Sequence, residues 1–386
     1  MQIAQRVKKV APSLTLTITA RAKELKKSGL DVVGFGAGEP DFDTPDYIKQ
    51  AAKESLDKGQ TKYTPVTGLQ ELKEIICKKF KDENGLEYIP DQIAVSCGAK
   101  HSLYNYFQAV INPGDEVLVP VPYWVSYPPQ ILMADGIPVY IPTDSETDYK
   151  ITPELLDKYV TPKTKGCILN SPSNPSGMMY TEDELRALAD YFVAKNIPVI
   201  SDEIYEHISY DFPHVSIASF NDDIKQLTTV INGVSKSFSM TGWRIGYMAS
   251  SIDVIKAVNK IQGHSTSNPT TTAQWATIAA LNGGLDFVRT MCVEFKKRRD
   301  YMVDRLNSIK GMSCIMPQGA FYAYPSIAEI GMDSMKFCQR LLEEYQTAAV
   351  PGVAFGNDEN IRLSYAVSMD AIKKGLDRID KFVNNL

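Results

Sequence analysis

Thr228-Thr229-Val230-Ile231-Asn232-Gly233-Val234-Ser235-Lys236-Ser237-Phe238-Ser239-Met240-Thr241-Gly242-Trp243-Arg244-Ile245-Gly246 is the stretch that decides how the chain is read. It begins as a continuous β-branched run without polar alternation, as expected of a strand buried on both faces of a sheet. The run then delivers one lysine among small hydroxyl residues, and eight residues later an arginine that follows a glycine and a tryptophan. A lysine so placed can hold an aldehyde. Taken alone, Lys236 reads more simply as a solvated loop residue beside a structural arginine, so the remainder of the chain has to decide.

Runs of the same kind recur at 93–95, 117–119, 139–141, 167–169 and 199–200, separated by segments of helical periodicity. Over 182–195, Thr181 and Glu184 form a capping box and Leu185, Leu188, Ala189 and Phe192 an apolar stripe. Alternating apolar strands and amphipathic helices specify an α/β domain with a mostly parallel sheet sandwiched by helices. Upstream, helices are expected at 20–28, closed by Gly29, and at 46–58, with Thr44 as cap, Pro45 in the first turn and Gly59 as stop. Beyond about residue 285 the texture changes to a long charged helix over 287–308, short strands near 320–324 and 361–365, and helices at 333–345 and 370–383. The expected organisation is a large domain over 46–285 and a smaller α+β domain built from 1–45 and 286–386.

Bulk properties exclude several function classes. A net charge of -5 leaves no electrostatic footprint for nucleic acid or an anionic membrane, and no stretch of about 20 apolar residues occurs. The only dense basic run, Lys296-Lys297-Arg298-Arg299, falls in a helical pattern and reads as a solvated face. None of the six cysteines forms a C-x-x-C pair and the four histidines lack metal-ligand spacing, so neither disulfides nor a structural metal is expected. Residues 1–12 carry no apolar run long enough for a signal peptide, which points to a soluble cytoplasmic protein.

In α/β sheets ligands sit beyond the carboxyl ends of the strands, so the residues there carry most of the functional information. Ser96-Cys97-Gly98-Ala99-Lys100 enters a helix and offers free N–H groups to a phosphate. Pro122-Tyr123-Trp124 supplies rings that can lie on a planar ligand, and Asn170-Ser171-Pro172-Ser173-Asn174-Pro175-Ser176-Gly177 a stiff loop presenting Asn174. Ser201-Asp202-Glu203-Ile204-Tyr205 places a carboxylate at a buried strand end, where it needs a cationic partner such as a protonated ring nitrogen. Each signal alone is compatible with an ordinary structural turn. Together with Lys236 they amount to a phosphate cradle, a stacking ring, hydrogen-bond donors, a carboxylate and an amine, a set that fits pyridoxal 5'-phosphate.

These residues lie within motifs, GAGEPDFDTP, YTPVTGLQELK, NSPSNPSG, SDEIYEH, SKSFSMTGWRIGY and RLSYA, by which the chain resembles the class I aminotransferases of pyridoxal-phosphate fold type I, in their bacterial-type aspartate aminotransferase branch. The resemblance runs from about residue 13 to the carboxyl end. It implies that Lys236 carries the cofactor as an internal aldimine and, once released, shuttles the proton in a ping-pong reaction. Asp202 is implied as partner of the pyridinium nitrogen, Asn174 and Tyr205 as donors to the phenolic oxygen, and Trp124 as the stacking ring. Gly98, Ala99, Lys100, Ser235, Ser237 and Arg244 fall where the family surrounds the phosphate. Tyr63 is implied to reach the phosphate of a neighbouring subunit, hence a homodimer with a shared active site.

For the substrate, the resemblance assigns Arg362 to the α-carboxylate, with a backbone contact from Gly38 beside it. The residues agree, since Ile361-Arg362-Leu363 puts an arginine in an apolar strand, a costly position without a bound anion. The distal carboxylate falls to Lys100, helped by Ser13 and Thr15, which favours L-aspartate with 2-oxoglutarate, though the bulk of Leu14 between the two hydroxyls is unexpected. An aromatic amino acid or prephenate aminotransferase of the same family is the alternative, followed by a lyase on the same cofactor and a non-catalytic cofactor-binding module.

Overall fold

The computed structural model describes residues 2–12 and 14–386. At its centre is a seven-stranded sheet in the spatial order Ile93–Ser96, Gly246–Ala249, Thr228–Gly233, Val199–Asp202, Thr164–Asn170, Glu116–Val121, Ile137–Pro142. All six strands expected from the β-branched runs are present and run the same way, so their carboxyl ends open on one edge. The strand Gly246–Ala249 was not foreseen, and it lies antiparallel to both neighbours. It contains no β-branched residue and opens on a glycine, which conceals it from propensity. That glycine is dictated by packing: a Cβ on Gly246 would stand 2.1 Å from the Ala99 nitrogen, where a helix begins.

The strand residues alternate between two apolar layers. Val117, Val119, Ile168, Ile200 and Met248 pack with Leu103, Tyr106 and Phe107 of helix Ala99–Val110 and with Ile255 and Val258 of helix Ile252–Gly263. Leu118, Cys167, Leu169 and Val199 face the opposite way, onto Leu185, Leu188 and Phe192 of helix Glu182–Lys195. The capping box of that helix is present, with Thr181 Oγ1 accepting from Glu184 N at 3.3 Å and Glu184 Oε2 from Thr181 N at 2.7 Å. The run at 139–141 is not buried on both faces: it belongs to an edge strand on which Ile137 and Tyr140 are exposed.

Thr44 does not cap helix Asp46–Asp57, whose N-cap is Pro45. Its hydroxyl donates instead to Ser239 O at 2.7 Å and accepts from Trp243 Nε1 at 3.0 Å, tying the amino-terminal segment to the turn after Lys236. The helix expected at 20–28 begins earlier and spans Leu14–Lys27. Outside the large sheet, Tyr322–Ala323, Ile361–Ser364 and Val350–Pro351 form an antiparallel three-stranded sheet. Val33–Gly34 pairs in parallel with Thr347–Ala348, which brings the start of the chain against its carboxyl-terminal part. Helices Asp286–Asn307, Ser334–Tyr345 and Met369–Asn384 enclose these strands.

The basic run is only partly a solvated face. Arg298 and Arg299 are buried, the first with Nη1 2.8 and 2.9 Å from the two Asp41 carboxylate oxygens and the second on Asp211 at 2.6 Å. The histidines, unremarkable by spacing, meet carboxylates in space: His207 Nε2 lies 2.8 Å from Glu83 Oε2 and His214 Nε2 3.2 Å from Glu203 Oε2. Between them is a fully buried ion pair of Lys79 with Glu206, which also accepts from Asn84 at 3.0 Å and Asn232 at 2.8 Å. Burial raises the Glu206 pKa, but the Lys79 ammonium, aided by His207 and His214, outweighs it and holds the carboxyl far below its usual range. Its folded pKa being depressed, Glu206 contributes stability at neutral pH that is lost as pH falls. Lys79→Met should therefore cost about 3 kcal/mol at pH 7, seen as a lower urea midpoint, by leaving a buried carboxylate unpaired. The loss should shrink in acid, where Glu206 can take up a proton, and Glu206→Gln in the same chain should recover part of it; equal midpoints for parent and Lys79→Met would contradict this account.

Candidate active site

A cavity of about 800 Å³ opens at the carboxyl edge of the large sheet and is walled on its far side by the small antiparallel sheet and the amino-terminal segment. Ala99, Lys100, Trp124, Asn174, Asp202 and Tyr205 line it, as do Ser235, Lys236 and Arg244. Gly38, Thr15 and Arg362 close it from the other side. Ala99, Lys100, Trp124, Asn174, Asp202, Tyr205, Ser235 and Lys236, far apart in sequence, converge here because each ends or follows a strand that stops on this edge, whereas Arg362, Gly38 and Thr15 are brought by the small sheet and the amino-terminal segment.

One end of the cavity suits an anion. Helix Ala99–Val110 starts at Gly98, whose φ of 93° and lack of a side chain leave the first-turn N–H groups uncapped. The Arg244 guanidinium packs so closely against Gly98 that a Cβ there would lie 2.3 Å from Nη2. Arg244 is fixed by Nη1 to Thr241 O at 2.7 Å and Nη2 to Cys97 O at 3.2 Å, and among the described residues it has no carboxylate partner. Ser235 and the helix amino terminus complete a cradle with a positive potential.

In the middle stands Asp202, buried, accepting from the Tyr127 hydroxyl at 2.7 Å and from Ile204 N at 3.4 Å. Burial pushes its carboxyl up to about 6 despite the Tyr127 hydrogen bond, because among the described residues it has no ion-pair partner. Asn170 donates to Asp202 O at 2.9 Å and accepts from Asn174 N at 2.9 Å, so the rigid loop and the acid are held as one unit. The Tyr205 hydroxyl lies 2.7 Å from that of Tyr322, and the Trp124 ring meets Tyr127 edge-on with centroids 5.3 Å apart.

Lys236 projects into the same space, donating to Gly38 O at 2.6 Å. Burial lowers its pKa to about 8, with Arg244 and Arg362 contributing and Glu39 opposing, so the amine loses its proton far more readily than an exposed lysine and about a tenth of it is neutral and nucleophilic at pH 7. Arg362 is buried, donating from Nη1 to Asn174 Oδ1 at 2.9 Å and from Nη2 to Gly36 O at 3.0 Å, while its Nε has no hydrogen-bond partner. No carboxylate of the described residues pairs with it, which removes the salt bridge to another segment as an explanation and leaves a guanidinium aimed at a space for an anion. Lys100 lies 5.0 Å above the Trp124 ring, its pKa lowered by burial and by Arg244.

Two expected residues, Ser237 and Tyr63, lie away from this cavity. Ser237 turns away from the cavity, its hydroxyl 3.0 Å from His207 Nδ1, and is buried beside the core residue Phe238. Tyr63 is 90% exposed on the connection between two helices and does not touch the cavity of its own chain. Ser13 lies outside the described residues, while its neighbours Leu14 and Thr15 both line the cavity. Conversely, Tyr127, Asn170 and Tyr322 were not anticipated. Tyr127 follows Trp124 by three residues, a helical spacing that offered a clue; Tyr322 had no signal beyond its place in an apolar run.

The donor set was tested against pyridoxal 5'-phosphate on these grounds and fits it. Among the described residues, a buried acid without an ion-pair partner suits a protonated ring nitrogen, an uncapped helix end beside an arginine without a carboxylate partner suits a phosphate, and an amine of lowered pKa suits an aldehyde. The orphaned Arg362 Nε adds a place for a carboxylate.

Residues 30–379 match the family described as aminotransferase class I and II. The chain is 50% identical over 389 aligned residues to the aspartate aminotransferase of Bacillus subtilis (strain 168), covering 99% of both proteins. It is 47% identical to the aspartate/prephenate aminotransferase of Cereibacter sphaeroides, covering 98% of each. Among solved structures, the aspartate aminotransferase of Thermus thermophilus with maleate superposes with a TM-score of 0.95 at 41% identity, covering 100% of both chains. Extended over nearly the whole length, these likenesses and the cavity's chemistry agree: the chain belongs to the class I and II aminotransferases, enzymes that use pyridoxal 5'-phosphate.

Proposed function

We propose that this protein is an aspartate aminotransferase, moving the amino group of L-aspartate to 2-oxoglutarate with formation of oxaloacetate and L-glutamate. The observation that carries the reading is the meeting, in one cavity, of a neutral-tending lysine, a cation-less aspartate and an arginine without a counter-ion. When bound, pyridoxal phosphate supplies an electrophilic carbon and a cationic ring that takes up the electron pair left by loss of the substrate's α-proton. Asp202, steadied by Tyr127, keeps a proton on the ring nitrogen; the helix start at Gly98 and Ala99, with Ser235 and Arg244, holds the phosphate. Tyr205 and Asn174 donate to the phenolic oxygen, and Trp124 covers the ring. Arg362 would orient the α-carboxylate so that the α-proton points at Lys236 Nζ, which would accept it and return it to the cofactor's aldehyde-derived carbon on the other side of the nitrogen.

Lys100, at the mouth of the cavity over Trp124, suits the distal carboxylate of a dicarboxylic substrate, with Thr15 beside it. A second reading, an aromatic amino acid or prephenate as amino donor or acceptor, is favoured by the apolar wall of Leu14, Leu103, Leu132 and Met133 around that lysine and by the name of the Cereibacter relative. Product analysis separates both from a lyase, since only amino transfer leaves the aminated cofactor and a 2-oxo acid. The exposed Tyr63 ring supports a homodimer in which this residue reaches the phosphate of the other subunit. The proposed division into 46–285 and 1–45 with 286–386 puts Lys236 and Asp202 on one domain and Arg362, Gly38 and Thr15 on the other, so that closure brings substrate to amine. Among the described residues no helix is long and apolar enough to cross a membrane, and we propose a cytoplasmic location.

The rate at which apoprotein combines with pyridoxal phosphate should rise with pH and level off above about 8, as Lys236 loses its proton. Lys236→Ala should still retain the cofactor by its phosphate and ring contacts yet lose the visible band and turnover; persistent amino transfer would sink the assignment. Replacing Lys100 by Met should lower kcat/KM for aspartate by roughly a hundredfold, the loss of a partly buried charge pair, while leaving tyrosine within about tenfold. Equal losses for the two substrates would restrict Lys100 to the phosphate.

A further inference from the structure

Tyr322 is the residue at which the two halves of this site touch. It is fully buried, lies on the strand Tyr322–Ala323, and pairs in register with Ser364, two residues from Arg362. Its hydroxyl is 2.7 Å from that of Tyr205, and its ring lies face-on beneath Arg362, whose guanidinium carbon is 4.4 Å from the centroid. A Cβ on Gly38 would stand 3.2 Å from the same hydroxyl, so the backbone whose carbonyl accepts from Lys236 packs against it as well.

We propose that Tyr322 is a positioning residue with two separable duties: its hydroxyl donates to Tyr205 and frees the Tyr205 proton for the cofactor, and its ring sets the plane of the Arg362 guanidinium for the substrate carboxylate. The proposal rests on the aminotransferase reading of Tyr205 and Arg362. Only one of two hydroxyls 2.7 Å apart can donate to the other, and a phenol has a single proton, which the reading of Tyr205 commits to the cofactor's phenolic oxygen. Tyr322 is therefore the donor. Tyr205, already accepting one hydrogen bond, becomes a stronger donor itself, and its proton is directed away from Tyr322 into the cavity it lines. The Arg362 Nε lacks a hydrogen-bond partner and its two Nη atoms each spend one N–H on Asn174 and Gly36, so a flat aromatic surface is what holds the remaining fork in plane.

The test uses holoenzyme of the parent and of Tyr322→Phe, Tyr322→Leu and Tyr205→Phe, each read for the pH midpoint of the bound cofactor's visible band and for kcat and KM with aspartate. Weakening the Tyr205 donor costs most in the form whose phenolic oxygen has no other proton to share, so the midpoint should rise. Tyr322→Phe, which keeps the ring, should raise the midpoint by about half to one pH unit and leave KM near that of the parent. Tyr322→Leu should raise the midpoint and also raise KM by roughly tenfold; Tyr322→Met repeats this arm if the leucine variant does not take up cofactor. A midpoint that moves in Tyr205→Phe but not in Tyr322→Phe overturns the hydroxyl duty. Equal KM changes in the phenylalanine and leucine variants overturn the ring duty. A midpoint unmoved in Tyr205→Phe itself would instead strike at the reading of Tyr205.

Discussion

Asp202 ends a strand buried on both faces, with a phenol and an amide beside it and, among the described residues, no ion-pair partner, while Arg362, in the facing sheet, is equally buried and has no carboxylate partner among them. Charges held in this way raise the free energy of the folded chain, and they persist only where the surrounding structure leaves them no alternative. Asp202 is clamped by Tyr127 and by the Asn170 loop, and Arg362 by Asn174, Gly36 and two aromatic rings. Asn174 bridges the two groups, contacting Arg362 through its side chain and Asn170 through its backbone. The rest of the fold can be seen as the scaffold that keeps an acid, an amine and a guanidinium at the edge of one cavity without letting them neutralise one another.

The opposite strategy operates behind the cavity. Glu206, only four residues from Asp202, is paired, capped by two amides and held deprotonated. One short segment thus carries a carboxylate compensated within the protein and one reserved for a ligand. Electrostatics alone separates a structural acid from a functional one here, since both are fully buried and share a loop.

Glycine plays a specific part at two positions. Gly98 lets the Arg244 guanidinium lie against the helix start, and Gly246 lets the antiparallel strand pass beneath it. Anion cradle and sheet are consequently a single packing problem, and a side chain at either place would push the arginine away from the helix amino terminus.

The α/β class, six of the seven central strands, and most site residues were legible in the sequence. They were legible because strands buried on both faces read as apolar runs, and because the residues after parallel strands share one edge whatever the details of packing. Lys236, Asp202 and Asn174 owe their place to that rule. Tertiary structure alone decided matters that depend on direction rather than position: Ser237 faces His207 and not the cavity, Thr44 serves Ser239 and Trp243 instead of its own helix, and Arg298 and Arg299 are buried on Asp41 and Asp211. The antiparallel strand at Gly246 and the phenols Tyr127 and Tyr322 likewise became visible only in three dimensions. A linear pattern records which residues can be buried. Which partner each finds is set by contacts between segments that are remote in sequence, and those carry no local periodicity.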